Sequence, residues 1–397
     1  MLHDRAGLPV STQQREVVEA IERFVDELLS HGQQAALILE AAERDPDAVL
    51  AQACAAALYL FLQTREGVQR ARPWLQRAHA AAARAANQRE RLLLDALQAW
   101  ADGRPQDALA RHVEIAGHWP RDLLNAKLAQ IHQLGLGERA GMLAMSSLLL
   151  RHNGDLSYAW GLHAFALEQN GELEAALRAG ERADAMNADD PWAQHAVAHV
   201  FDARGRLDEG LAWMLAHAPR WERCSSFMLT HNWWHVALLQ LARGDADAAL
   251  SIYDRRVWGV RKSYVQDQVN AVSLLARIEQ RGVDTGARWD DLAQHVRPRI
   301  HDRQSAFLDL HFAYALARAG DDEAVAELLG GIATQAQRSS APAWRELALP
   351  AARGVVAHAR RRLREAAQEL QPLATRMHLL GGSTAQQGWF AQMRGSG

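Results

Sequence analysis

Residues 171–211 read GELEAALRAGERADAMNADDPWAQHAVAHVFDARGRLDEGL, and the two ends of this stretch repeat one another. GELEAAL begins at Gly171 and GRLDEGL at Gly205, 34 residues on. The same glycine-led element opens GRPQDAL at Gly103 and GERAGML at Gly137, then GDADAAL at Gly244 after five extra residues. A degenerate copy, GDDEAVA, starts at Gly320. A small residue stands five positions after most of these glycines, at Ala108, Ala176, Gly210 and Ala249. The glycine ends one helix in a left-handed turn, and the small residue lets the next helix approach its neighbour closely. Alanine-rich helical patterning continues on both sides, and no run alternates as a strand does.

A 34-residue unit built in this way resembles a tetratricopeptide repeat. One helix pair leaves a face uncovered, so successive pairs stack. The expected fold is all-α: a right-handed superhelix, or α-solenoid, of TPR-like helix–turn–helix repeats closing around a central pocket. The expected organisation is an N-terminal helical region over 1–90, the histidine-bearing repeats over 91–260, divergent repeats over 261–380 and a C-terminal tail over 381–397.

With Gly171, Gly205 and Gly244 at repeat position 15, position 8 falls on Ala164, Ala198 and Ala237, small each time. Positions 2, 5, 9 and 12 of the first helix commonly line the concave side of such repeats. In one repeat they are Trp192, His195, His199 and Asp202; in the next, His231 and Trp234 take positions 2 and 5, with Asn232 beside them. His235 falls at position 6 but shares a face with His231, one turn away. Two His-x-x-x-His pairs on consecutive repeats have metal-ligand spacing that would suit a divalent metal such as zinc; the alternative is that carboxylates satisfy the imidazoles, which then only stiffen the superhelix. Asp202, Asp254, Asp267, Asp309 and His311 are candidates to complete the shell or to form Asp–His general acid–base pairs. The HExxH glutamate is missing, which excludes the zincin metalloprotease pattern. Of the clustered tryptophans, Trp192, Trp213, Trp221, Trp233 and Trp234, most are expected to pack and one or two to line an apolar wall. His163 stands where a core leucine is usual.

Composition narrows the classes. Of the 397 residues, 49% are hydrophobic, enough for a large core, and no segment reaches the roughly 18 apolar residues of a membrane span. The formal net charge is −3, with both signs interspersed, which argues against a nucleic-acid or membrane partner. The N-terminal MLHDRAGLPVSTQQREVVEA lacks the apolar run of a signal peptide. The two cysteines, Cys54 and Cys224, form no CxxC, and a cytoplasmic protein without disulfides is expected. Basic residues are nearly all arginine, with lysine only at Lys127 and Lys262, and histidine is abundant at 18.

Beyond the general repeat, the chain resembles the tetratricopeptide repeat protein 38 family. The resemblance rests on WPRDLLNAKLAQ, GLHAFALEQNGELEAA, DDPWAQHAVAHVFDARGRLDEGLAWM, HNWWHVALLQLARGDADAALSIYD and FLDLHFAYALARAG. It also touches DPDAVLAQACAAAL and GGSTAQQGWF, and so covers most of the chain in order. It implies a histidine- and aspartate-lined centre carried by His195, His199, His231, Asn232, Trp234, His235, Asp254, Asp267, Asp309 and His311. It implies no particular reaction. The family pattern continues Gly-Gly-Ser-His-x-Gln-Arg-Asp, where Gly381–Gly388 here read GGSTAQQG.

The functional expectation is a small-molecule-binding protein or hydrolase-type enzyme. His195, His199, His231, His235, Asp267, Asp309 and His311 would serve as ligands, bases or orienting groups. Trp192, Asn232, Trp234 and Asp254 would contact the substrate. The alternative is an interaction scaffold that binds a peptide or partner helix in the repeat groove. No phosphate loop, dinucleotide fingerprint or serine-nucleophile motif is present.

Overall fold

Every glycine that marks the repeat ends a helix with positive φ: 70° at Gly103 and Gly137, 80° at Gly171, 65° at Gly205, 89° at Gly244 and 75° at Gly320. In the computed structural model, which describes residues 1–394, the amide after most of these turns reaches back to the helix just ended. Arg104 N–H donates to Ala99 C=O, Glu172 to Leu167, Arg206 to Phe201 and Asp245 to Gln240, at 2.9–3.0 Å. These are Schellman closures, and they require the left-handed residue that glycine supplies without a Cβ penalty.

The glycines separate helix pairs: α5 (Gln88–Ala101) and α6 (Pro105–His118), α7 (Leu123–Leu136) and α8 (Arg139–Asn153), α9 (Ser157–Gln169) and α10 (Leu173–Met186). Next come α11 (Pro191–Ala203) and α12 (Leu207–Trp221), then α13 (Ser226–Ala242) and α14 (Ala246–Ile252). The N-terminal helices are α1 (Arg15–Leu29), α2 (Ile38–Arg44), α3 (Val49–Leu60) and α4 (Arg65–Ala85). The divergent copies are α15 (Val265–Gln280), α16 (Arg288–Val296), α17 (Ala306–Arg318), α18 (Asp322–Arg338), α19 (Leu349–Ala359) and α20 (Leu363–Leu370). Beyond them, in the stretch set aside as a tail, Thr384–Arg394 form α21, which buries Trp389, Phe390 and Met393. Positions 395–397 of that stretch lie outside the described residues. A two-residue ladder, Leu2–His3 with Pro9–Val10, is the only β pairing among the described residues. The fold is all-α, of TPR-like helical repeats.

The five extra residues before Gly244 have a simple location. α13 is 17 residues long, where α9 and α11 are 13, so the insertion lengthens one helix by about a turn. The small positions Ala108, Ala164, Ala176, Ala198, Ala237 and Ala249 are all fully buried. At Gly210 an added Cβ would meet Phe201 at 3.0 Å and Leu239 at 3.2 Å. The helix just before each glycine is buried nearly all round, as with Val265–Ile278 of α15 and Ala306–Ala317 of α17, whereas α10 buries a single face. Polar residues on the all-round-buried helices are therefore interior groups.

Two compact units divide the chain. The first gathers Met1–Gln133, Arg139–Val200 and Pro219–Met228; the second gathers Leu134–Glu138, Phe201–Ala218 and the chain from Leu229 on. His195 and His199 belong to the first unit, and His231 and His235 to the second. In the first unit the N-terminal segment is tied to α5 by buried polar contacts: Arg89 donates to Pro9 C=O at 2.8 Å, and Ser11 N–H donates to Glu90 at 2.8 Å.

Candidate functional site

The first unit's histidines sit on α11, a helix that begins at the buried Asp190, whose Oδ1 accepts the Ala193 N–H at 3.0 Å. Trp192, His195 and His199 follow on one face, at 9%, 1% and 2% exposure. The two imidazoles approach Nε2 to Nε2 at 2.9 Å. On the far side of His199, Nδ1 lies 3.3 Å from Oε2 of Glu168, one repeat earlier on α9. Phe165, also on α9, packs against all three rings, with centroid distances of 4.9 Å to Trp192, 5.4 Å to His195 and 5.7 Å to His199. A carboxylate on Nδ1 fixes the tautomer and aims the Nε2 lone pair. With no metal, the same geometry lets the pair share one proton.

Lys127 of α7 flanks this face. Its Nζ is 3.9 Å from the Trp192 ring centroid and 3.0 Å from Nε2 of His31, which itself stacks on Trp192. Burial pulls the Lys127 ammonium down to about 7, while burial of Asp190 pushes its carboxyl up to about 6 despite the nearby Lys127. Trp192 Nε1–H donates to Gln130 at 3.1 Å.

In the second unit, α13 meets α15 through a ladder of polar pairs. Thr230 donates to Asp267 at 2.9 Å, His231 Nδ1 meets Asn270 Oδ1 at 3.0 Å, and Trp234 Nε1–H donates to Ser273 at 3.0 Å. Asp267, Asn270 and Ser273 are three residues apart and form one stripe of α15. Because Asn270 presents its oxygen, Nδ1–H of His231 donates and Nε2 is left as a lone pair. His231 stacks on Trp234 at 5.4 Å and 8°, and His235 packs edge-on against both. All of these residues, with Asn232, are buried.

The remaining expected residues divide. Asp309 and His311 are buried on α17. Burial outweighs the Arg303 partner and pushes the Asp309 carboxyl up to about 7. His311 donates Nδ1–H to Phe307 C=O at 2.8 Å, and burial holds its imidazole down at about 3. Asp254 is elsewhere: it follows α14 in a single π-type turn, half-exposed, and is bound by Arg288 at 2.7 and 2.8 Å. The structure therefore gives Asp254 no place on the buried face and no access to a substrate there. His163 is half-buried against Ser146, and burial pushes the Cys224 thiol up to about 12, which removes it as a nucleophile.

Sequence reasoning missed Glu168, Lys127, Asn270 and the buried pair His112–His132, which stack at 5.4 Å. The histidine surplus and the scarcity of lysine were the only signals, since partners one repeat away leave no local period.

The buried His311 carries a pH prediction. Its proton affinity is depressed by burial first of all, so between pH 6.5 and about 3 the unfolded chain binds a proton that the folded chain does not. Stability from this group is complete above pH 6.5 and is lost as pH falls. His311→Gln removes that loss. The difference in unfolding free energy between wild type and variant should shift by about 2 kcal/mol in the variant's favour from pH 7.5 to pH 5. Parallel pH profiles in urea melts would contradict the assignment.

Fold and site together define a TPR-like helical-repeat protein with histidine-rich buried helices. No protein-family model matches the chain. Among solved structures it is similar to a chain of the APC/C hetero-tetramer Cut9–Hcn1, with 13% identity, 95% of this chain and 73% of that chain covered, and a TM-score of 0.39. It is similar to human IFIT1, solved as a dimer with m7Gppp-AAAA, at 12% identity, 96% and 90% coverage and a TM-score of 0.41. The P58(IPK) TPR domain matches at 15% identity, 95% and 99% coverage and a TM-score of 0.24. Likeness at these levels carries no argument about ligands or partners. Among the described residues no helix is long and apolar enough to cross a membrane.

Proposed function

We propose that this chain is a helical-repeat interaction scaffold, and that the buried His195 and His199 of its first unit stiffen it by holding a divalent cation. The scaffold reading is carried by the run of TPR-like pairs, whose outer helices bury one face and leave a charged one in solvent, as Arg178, Glu181 and Arg182 do on α10. Arrays of this kind supply recognition surface for protein partners. Isolated at native abundance, the chain should travel in a particle larger than itself, with a second polypeptide in fixed ratio. A chain that travels alone, or only with its own copies, overturns the scaffold.

The cation is supported by a separate observation: Nδ1 of His199 faces Glu168. Metal-ligating histidines characteristically carry such an outer oxygen, which leaves Nε2 to the ion. Two nitrogens bonded at 2.0–2.1 Å to one tetrahedral zinc lie about 3.3–3.4 Å apart, so His195 and His199, at 2.9 Å, need to part by only a few tenths of an ångström. His195 and His199 are 1% and 2% exposed, the setting of a structural ion rather than of a hydrolytic one, which keeps a position open to water. For that reason the hydrolase and small-molecule expectation ranks below the scaffold. Protein purified without chelators should carry a stoichiometric divalent cation by elemental analysis; folded protein empty of metal would leave the imidazoles as a proton-sharing structural pair. Kinship with the tetratricopeptide repeat protein 38 family is a further proposal, and a homologue alignment that varies His195, His199, His231 and His235 freely would overturn it.

A further inference from the structure

Arg277 of α15 is 7% exposed. Other deeply set arginines each meet a carboxylate: Arg89 meets Asp122, Arg303 meets Asp309 and Arg318 meets Glu279. Arg277 forms no such pair among the described residues. Its guanidinium donates to two backbone carbonyls, Ala385 at 2.8 Å and Ser273 at 3.5 Å, and lies 5.4 Å from the Trp234 ring centroid. Asp202 acts on it only through space, and burial, the larger effect, pulls the group down to about 10, so it is charged at neutral pH. A buried cation without a counter-charge is costly. A guanidinium has five N–H donors, and the two carbonyls leave enough of the fork for a bidentate oxyanion.

The surroundings say what kind of anion. Ala385, Gly388 and Trp389 share one face of α21. Ala385 supplies the carbonyl, and a Cβ placed on Gly388 would lie 3.9 Å from Nη2 of Arg277. Trp389 meets His311 at 4.8 Å, and His311 feels the Arg277 charge. The Nε2 atom of His311 is a buried polar atom with no hydrogen-bond partner among the described residues. The cation thus lies beside the Trp234 ring and against α21, the helix that carries Trp389, both in the second unit. We propose that Arg277 binds the carboxylate of a small organic acid whose apolar body lies against Trp234 and Trp389. An aromatic lining favours an organic acid over inorganic phosphate, which has no apolar body. The proposal is independent of both the cation and the scaffold.

The test uses the full chain and thermal unfolding at constant ionic strength, with benzoate, phenylacetate and inorganic phosphate as probes. At millimolar concentration the two carboxylates should raise the Tm by a few degrees and phosphate should not. Arg277→Met should abolish the shift. Gly388→Asp places a carboxylate beside the guanidinium; it should raise the Tm without any probe and abolish the response to benzoate, so the test survives if Arg277→Met does not fold. Three results overturn the proposal: no shift with either carboxylate, equal shifts in wild type and Gly388→Asp, or a shift with phosphate alone.

Discussion

Asp122→Ala is expected to lower the unfolding free energy by about 3–5 kcal/mol, because it leaves a buried guanidinium without its counter-charge. Arg89 and Asp122 are 2% and 3% exposed and bond at 2.8 Å. The second arm of Arg89 holds Pro9 C=O, and the second oxygen of Asp122 accepts the Asn125 N–H at 2.9 Å, just inside the start of α7. One substitution thus loosens the N-terminal segment, α5 and the entry to α7. Urea melts of Asp122→Ala and of the double variant Arg89→Met/Asp122→Leu separate the causes. The double variant should recover much of the loss, since it removes the buried charge as well as its partner. A single-variant loss below about 1 kcal/mol would show that the pair is solvated and the first unit looser than described.

Trp221→Ala should cost a comparable amount, about 3–5 kcal/mol, through the cavity it opens. Trp221 is fully buried, and its Nε1–H donates to Gln194 at 2.9 Å. Gln194 in turn donates to Ala188 C=O at 2.8 Å, which links the end of α12 to the turn before α11 within the first unit. Trp213, on the same helix, is only half-buried, its ring tilted at 45° against His217 with centroids 4.5 Å apart. Trp213→Ala should cost about 1 kcal/mol or less. Equal losses at the two positions would mean that burial does not separate packing tryptophans from surface ones here.

The contrast between these two tryptophans also shows what a one-dimensional reading reaches. The glycine period and its small companions were legible because each is a local steric demand: a left-handed turn at Gly171, a close approach at Gly210. The histidine pairs were legible because i,i+4 spacing places two rings on one face. What gives those rings their chemistry comes from the adjacent repeat. Glu168 lies 31 residues before His199 and Asn270 lies 39 after His231, and neither separation leaves a mark in sequence. Asp254 was misplaced for the same reason. Its position in sequence order suggested a ligand, whereas it follows the outer helix of its pair and meets Arg288 near the surface. Arg277 carried no sequence signal at all, because an arginine's meaning depends on the absence of a carboxylate around it.

Calorimetric titration of chelator-treated protein with zinc, for wild type, His195→Ala and His199→Ala, decides whether the buried histidines of the first unit are ligands. Wild type should bind at a fixed stoichiometry, with release of protons where imidazoles give them up to the ion. Each variant should keep its helical circular dichroism and lose affinity by at least tenfold. Wild type that binds no zinc, or variants that bind it as tightly as wild type, would contradict the cation site.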